Sequence, residues 1–130
     1  MRSLPLAAAL IALGTAVPAQ AADAAPAPAP QRGLLLTVSG AQNTWIRGVL
    51  LRCAPEPSGH HPRAAEACAA ITRARGDFDA LPRDPHACTK EFEPVTATAT
   101  GTYEGRAVGW HKTYPNVCAM DAETGHVFRF

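Results

Sequence analysis

The residues with the most chemistry to offer lie in Cys88-Thr89-Lys90-Glu91-Phe92-Glu93-Pro94. A cysteine opens the stretch, a proline closes it, and one long cationic side chain, Lys90, follows the cysteine by two positions. Local composition alone describes a surface turn with an exposed lysine, because most lysines are solvated. Held extended and rigid, the same residues offer an ammonium group on a strand-like peptide. A trypsin-like serine protease takes such a group into its specificity pocket, which has an aspartate at its base. The rest of the chain decides between these readings by what it does to this segment.

Other groupings of reactive side chains carry less. Cys53, His60, His61 and Cys68 surround one loop and have the ligand types zinc takes. His61-Pro62, however, fits a helix start, and the chain carries an export signal, so disulfide chemistry competes for both cysteines. Ser39, His111 and Asp121 lack the local motif of a nucleophile elbow, and no zinc-protease motif is present. His111 reads as a solvated strand residue. No enzyme, metal or cofactor is therefore expected.

The export signal is at the N-terminus. Arg2 supplies a positive start, Leu4 to Val17 is apolar but too short to span a bilayer, and Ala19-Gln20-Ala21 has the small-x-small form of a cleavage site. Residues 1–21 are expected to be a signal peptide and the protein to be secreted and extracellular. Residues 22–32, with Ala25-Pro26-Ala27-Pro28-Ala29-Pro30, cannot bury a core and read as a disordered arm. Residues 33–130 remain as one folded domain. Losing Arg2 leaves eleven of the twelve basic side chains against eleven acidic ones. With no basic stripe and no second membrane-length apolar run, neither nucleic acid nor membrane is an expected partner. Outside the cytoplasm the four cysteines imply disulfides. Three pairings are open, of which sequential pairing is the simplest, each bridge contributing about 3 kcal/mol or somewhat more.

The elements that must position the stretch follow in order. Leu34-Leu35-Leu36-Thr37-Val38 reads as a buried strand closed by Ser39-Gly40. Trp45 to Cys53 reads as a longer strand, apolar enough on both faces to be central and covered on much of both sides. Pro55, Pro57 and Gly59 make Ala54 to His61 a loop. A helix follows, with Pro62 in its first turn, Ser58 or His61 as cap, and Ala64, Ala67, Cys68 and Ile71 on one face. Gly76 stops it. Phe78 and Leu81 are expected to anchor the polar segment that follows. Val95 to Tyr103 alternates strictly, threonines on one face and small or apolar residues on the other. Glu104-Gly105 is a tight turn, and Arg106 to Tyr114 is the returning strand. Asn116 is placed to cap a short helix through Cys118 and Met120 that ends before Gly125, and Val127 to Phe130 reads as a last strand. The sum is α+β: a five-stranded antiparallel sheet with two short helices packed on it.

In this order the residues resemble the Streptomyces subtilisin inhibitor family. Cys53-Ala54-Pro55-Glu56-Pro57-Ser58-Gly59, then His61-Pro62 and Cys68, is similar to the family's first disulfide region. Leu35-Leu36-Thr37-Val38 resembles its first strand. Asp79-Ala80-Leu81 and Glu93-Pro94-Val95 resemble the segments flanking its reactive site. Asn116-Val117-Cys118-Ala119-Met120 and Val127-Phe128-Arg129-Phe130 resemble its C-terminal end. The similarity covers nearly all of the chain beyond residue 32.

The resemblance implies a secreted inhibitor of serine proteases, trypsin-like and with subtilisin also a target. Residues 33–130 are then the inhibitor domain, usually homodimeric through its sheet. It implies pairing of Cys53 with Cys68 and of Cys88 with Cys118. It places the specificity residue two positions after the third cysteine, so that Lys90–Glu91 is the scissile bond. Cys88, Thr89, Phe92 and Glu93 are then the contacting loop, with Asn116 and Pro94 as its support. Thr89 replaces a proline often found there, and Glu91 is an unusual carboxylate just past the bond. The same scaffold acting as a non-inhibitory secreted module, or as a mere protease substrate, is the competing expectation.

Overall fold

The computed structural model describes residues 14–16 and 32–130. The cleavage site and most of the signal segment and Ala/Pro arm lie outside the described residues. The strands are β1 (Leu34–Gly40), β2 (Ile46–Arg52), β3 (Ser58–Gly59), β4 (Val95–Tyr103) and β5 (Arg106–Tyr114); the helices are α1 (Ala64–Arg73) and α2 (Val117–Thr124). All pairings are antiparallel, in the order β3-β2-β1-β4-β5. No described helix is long and apolar enough to cross a membrane.

The hairpin of β4 and β5 follows from its sequence. Val95, Ala97, Ala99 and Tyr103 are buried, while the threonines between them face outward. That face is stitched across strands, with Thr37 hydroxyl-bonded to Thr98, and Thr96 to Thr113 at 2.8 Å. Glu104 and Gly105 both adopt positive φ (48° and 75°), as a two-residue hairpin turn requires.

Two strand expectations are corrected. The central strand is β1, not β2. Only Leu51 and Arg52 of β2 pair with β3, and the Leu50 carbonyl accepts from the His60 N–H, so residues 46–49 form an edge and Ile46 is 62% exposed. The fifth strand is the two-residue β3, inside the expected loop, and Val127–Phe130 is not a strand. Its N–H groups instead close turns, Val127 to the Thr124 carbonyl and Arg129 to that of His126. Val127 and Phe128 are both buried, whereas successive strand residues point to opposite faces.

Beneath the inner sheet face lie α1, α2 and the C-terminal turn. Ala67, Cys68 and Ile71 of α1 are buried, as are Phe78, Leu81 and Phe128. The aromatic rings of Phe78, Trp110, Phe128 and Phe130 form a chain of contacts, with centroids 5.5–6.4 Å apart. Cys53 is bonded to Cys68 and Cys88 to Cys118, so the cysteines of the zinc alternative are disulfide sulfurs. No side chain caps α1 at Arg63, its N-cap residue. His61 is buried just upstream. Its Nδ1 accepts from the Arg63 N–H at 2.9 Å, which leaves Nε2 to donate to the Val127 carbonyl at 2.9 Å.

Candidate functional site

Residues 88–94 have no regular secondary structure. Thr89 to Glu93 are all exposed, Phe92 to 80%. Among the described residues, the side chains of Lys90 and Glu91 make no hydrogen bond or ion pair. Exposure of this kind ordinarily goes with mobility, but this segment is fastened on both sides of the Lys90–Glu91 bond to a single short piece of chain, residues 115–119.

On the N-terminal side, the disulfide ties Cys88 to Cys118 in the first turn of α2. On the C-terminal side, the Glu93 N–H donates to the Pro115 carbonyl at 2.9 Å, and Pro94 leads directly into β4. Asn116 holds the middle. Its Nδ2 donates to the carbonyls of Thr89 (3.3 Å) and Glu91 (2.8 Å), which flank Lys90. Its Oδ1 accepts from the Ala119 N–H at 2.8 Å and so caps α2. Asn116 is only 9% exposed, and an amide has both donors and acceptor, so one buried side chain serves loop and helix together.

The approach to Cys88 is fastened separately. The Asp84 N–H donates to the Ala122 carbonyl at 2.9 Å. Arg129 Nη2 donates to Asp84 Oδ2 at 2.7 Å, and its Nε lies 3.5 Å from Asp121 Oδ2. The hydrogen bond from Arg129 holds the Asp84 carboxyl below its ordinary range. Asp121 goes the other way. Burial raises it, Arg129 and His86 only partly offset that, and its Oδ1 is buried without a hydrogen-bond partner. Pro115, Asp84 and Arg129 were not singled out from the sequence. They act through contacts of up to 45 positions' separation, which leave no local signal.

The other candidate groups are not assembled. Ser39 Oγ donates to the Thr96 carbonyl and His111 is exposed on β5. No hydrogen bond links either to Asp121 among the described residues.

Residues 30–116 match the sequence pattern of the subtilisin inhibitor-like family. Subtilisin inhibitor-like protein 2 of Streptomyces rochei is 42% identical over 102 residues, spanning 75% of this chain and 90% of that protein. A subtilase-type protease inhibitor of Streptomyces coelicolor is 41% identical over 122 residues, spanning 86% and 85%. In structure the chain is similar to Streptomyces caespitosus sermetstatin, solved in complex with Bacillus licheniformis subtilisin. The TM-score is 0.63 at 33% identity, covering 75% of this chain and 97% of that one. The chain therefore belongs to the subtilisin inhibitor-like family, a family of protease inhibitors and not of enzymes.

Proposed function

We propose that the protein is a secreted inhibitor of serine proteases, offering residues 88–93 as a substrate-like loop with Lys90–Glu91 as the scissile bond. The observation that carries this is the Asn116 amide, bonded to the carbonyls on both sides of Lys90 while capping α2. An extended peptide docks in a protease cleft through main-chain hydrogen bonds, with side chains filling pockets. Lys90 is the anchor, exchanging water for a charge-assisted contact with the aspartate of a trypsin-like pocket.

A well-presented lysine also makes a good substrate, so inhibition needs its own cause. If the bond is cut, the new carboxyl end stays tied through Asn116 and the Cys88–Cys118 disulfide. The new amine end stays tied through the carbonyl of Glu91, the N–H of Glu93, and β4. The amine then keeps a very high effective concentration for religation. Rigidity before binding also lowers the ordering cost of the complex.

The relatives' names and the subtilisin bound to sermetstatin support subtilisin as a second target. The leader-like residues 1–21 support secretion. The exposed Leu35 and Ile46 (39% and 62%) on the outer sheet face support a homodimer through that face. Titration of the purified protein against trypsin, chymotrypsin and subtilisin side by side tests the reading. Stoichiometric, tight loss of trypsin activity is expected. Steady cleavage after Lys90 without inhibition of any of the three overturns it in favour of a substrate module.

A further inference from the structure

Three of the exposed large apolar side chains, Trp45, Phe92 and Val117, line one concavity of about 430 Å³ together with Pro94. Trp45 is the unexpected member. It lies in the turn between β1 and β2, far in sequence from the loop. A tryptophan has a large apolar area to bury, yet this one is 40% exposed and belongs to no part of the core.

Trp45 is nevertheless fixed in place. The Gly40 N–H donates to the Trp45 carbonyl at 3.0 Å and closes the turn. The indole lies directly on Gly40, where an added Cβ would stand 2.4 Å from its Nε1. The Arg47 guanidinium sits 4.9 Å from the ring centroid. The exposed ring surface is thus held ready at little cost in rotamer entropy. Preorganised aromatic residues of this kind supply the energetic centres of interfaces.

We propose that Trp45 is a second anchor for the bound protease, on the side of the departing amine. This rests on the reading of Lys90–Glu91 as the bond the protease grips. Phe92 follows Lys90 by two residues, about 7 Å along an extended chain. The concavity beside it lies inside the footprint of a standard protease–inhibitor interface, roughly 800 Å² per partner. On this reading the enzyme rim past the scissile bond faces Trp45, which shares the concavity with Phe92. Glu93 lines the concavity and Glu91 is exposed one residue before Phe92, so the fitting partner is a serine protease whose rim there is apolar and not acidic. Lys90 selects the specificity pocket; Trp45 sets how slowly a bound enzyme whose rim fits the concavity dissociates, whichever pocket that enzyme has.

The test compares the parent with Trp45→Ala in association and dissociation rates from trypsin and from subtilisin. The expected result is dissociation about tenfold to a hundredfold faster from at least one of the two, with association changed by about threefold or less. Fluorine NMR of the parent carrying 5-fluorotryptophan gives an answer independent of the variant's folding. Trp110, packed against Phe78 and Phe128, is the internal reference. On saturation with protease, the Trp45 resonance should shift and lose its solvent-isotope effect while that of Trp110 stays. If the parent inhibits but its Trp45 signal is unchanged in the saturated complex, this inference is overturned and the reading of Lys90 stands. A parent that inhibits neither enzyme overturns both.

Discussion

The side-chain amide of Asn116 donates to the Glu91 carbonyl at 2.8 Å, across 25 positions of sequence, while its oxygen caps α2. This couples the shape of the loop to the start of a helix whose second residue, Cys118, is already bonded to Cys88. Two substitutions separate the functions of the amide. Asn116→Ala removes cap and loop donors together, and should cost about 1–3 kcal/mol of stability. Asn116→Asp keeps an acceptor for the Ala119 N–H but has no donor for the loop carbonyls. Both variants should turn the protein from inhibitor toward substrate, with faster cleavage after Lys90 under catalytic amounts of trypsin. Only the alanine variant should also lose the cap. Mass spectrometry of timed digests and thermal unfolding check the two effects. Cleavage of Asn116→Asp no faster than that of the parent would contradict the bracing role of the amide.

Lys90 is exposed, with no partner among the described residues, so changing it should alter the target and not the fold. Lys90→Met removes the ammonium and leaves the pocket aspartate of a trypsin-like enzyme unpaired, at a cost of about 2–5 kcal/mol. Trypsin inhibition should weaken by the corresponding factor, about 30-fold or more. Inhibition of subtilisin should strengthen and the melting temperature should stay near that of the parent. Inhibition constants for both enzymes, measured on the same preparations, are the check.

How much of this could be read from the chain alone differs by element. The β4–β5 hairpin was legible because Val95 to Tyr103 alternates without a break and Glu104-Gly105 takes the two positive φ values its turn demands. The buried stripe of α1 was legible for the same reason at helical spacing. β3 was not, since two residues show no period. Val127–Phe130 misled because a short apolar run looks the same whether it pairs in a sheet or packs consecutive side chains into a core. The exposure of β2 depends on how little of it β3 covers, which no local pattern records. At the site, the support by Asn116 came only through resemblance, because its loop bonds span 25 and 27 positions. The positions of Trp45 and Arg129 were invisible because their partners lie on other elements.

The two disulfides should differ in what their loss does. Cys88–Cys118 closes 30 residues of sequence and Cys53–Cys68 closes 15. Loop entropy gives about 3.6 and 3.0 kcal/mol respectively, so replacing either pair by serines should lower denaturation midpoints by similar amounts. Inhibition should not follow stability. Without Cys88–Cys118 the segment before Lys90 is held chiefly by Asn116, and cleaved product should accumulate. Without Cys53–Cys68, which docks α1 beneath the sheet, the surviving folded fraction should inhibit as the parent does. Active-site titration corrected for folded protein distinguishes the two cases.

Arg129 stands between two carboxylates that should respond to pH in opposite ways. Asp84 is held below its ordinary value of 3.8 by the hydrogen bond from Arg129. Its contribution is therefore present above that value and is lost as pH falls through the lowered one. Asp121 is raised, chiefly by burial. The folded state holds its proton more tightly than the unfolded chain, so the stability linked to it is fully present below 3.8 and declines as pH rises through the raised value. Asp84→Asn should therefore forfeit stability at neutral pH and converge on the parent in acid. Asp121→Asn keeps an oxygen that can accept from Arg129 but removes the charge. Its stability relative to the parent should be poorest in acid and improve toward neutral pH, where the parent has to ionise a buried group whose Oδ1 finds no partner. Urea midpoints of the parent and both variants between about pH 3 and pH 7 check the signs. Parallel curves for Asp121→Asn and the parent would mean that the folded state does not raise this carboxylate, contrary to the direction its burial dictates.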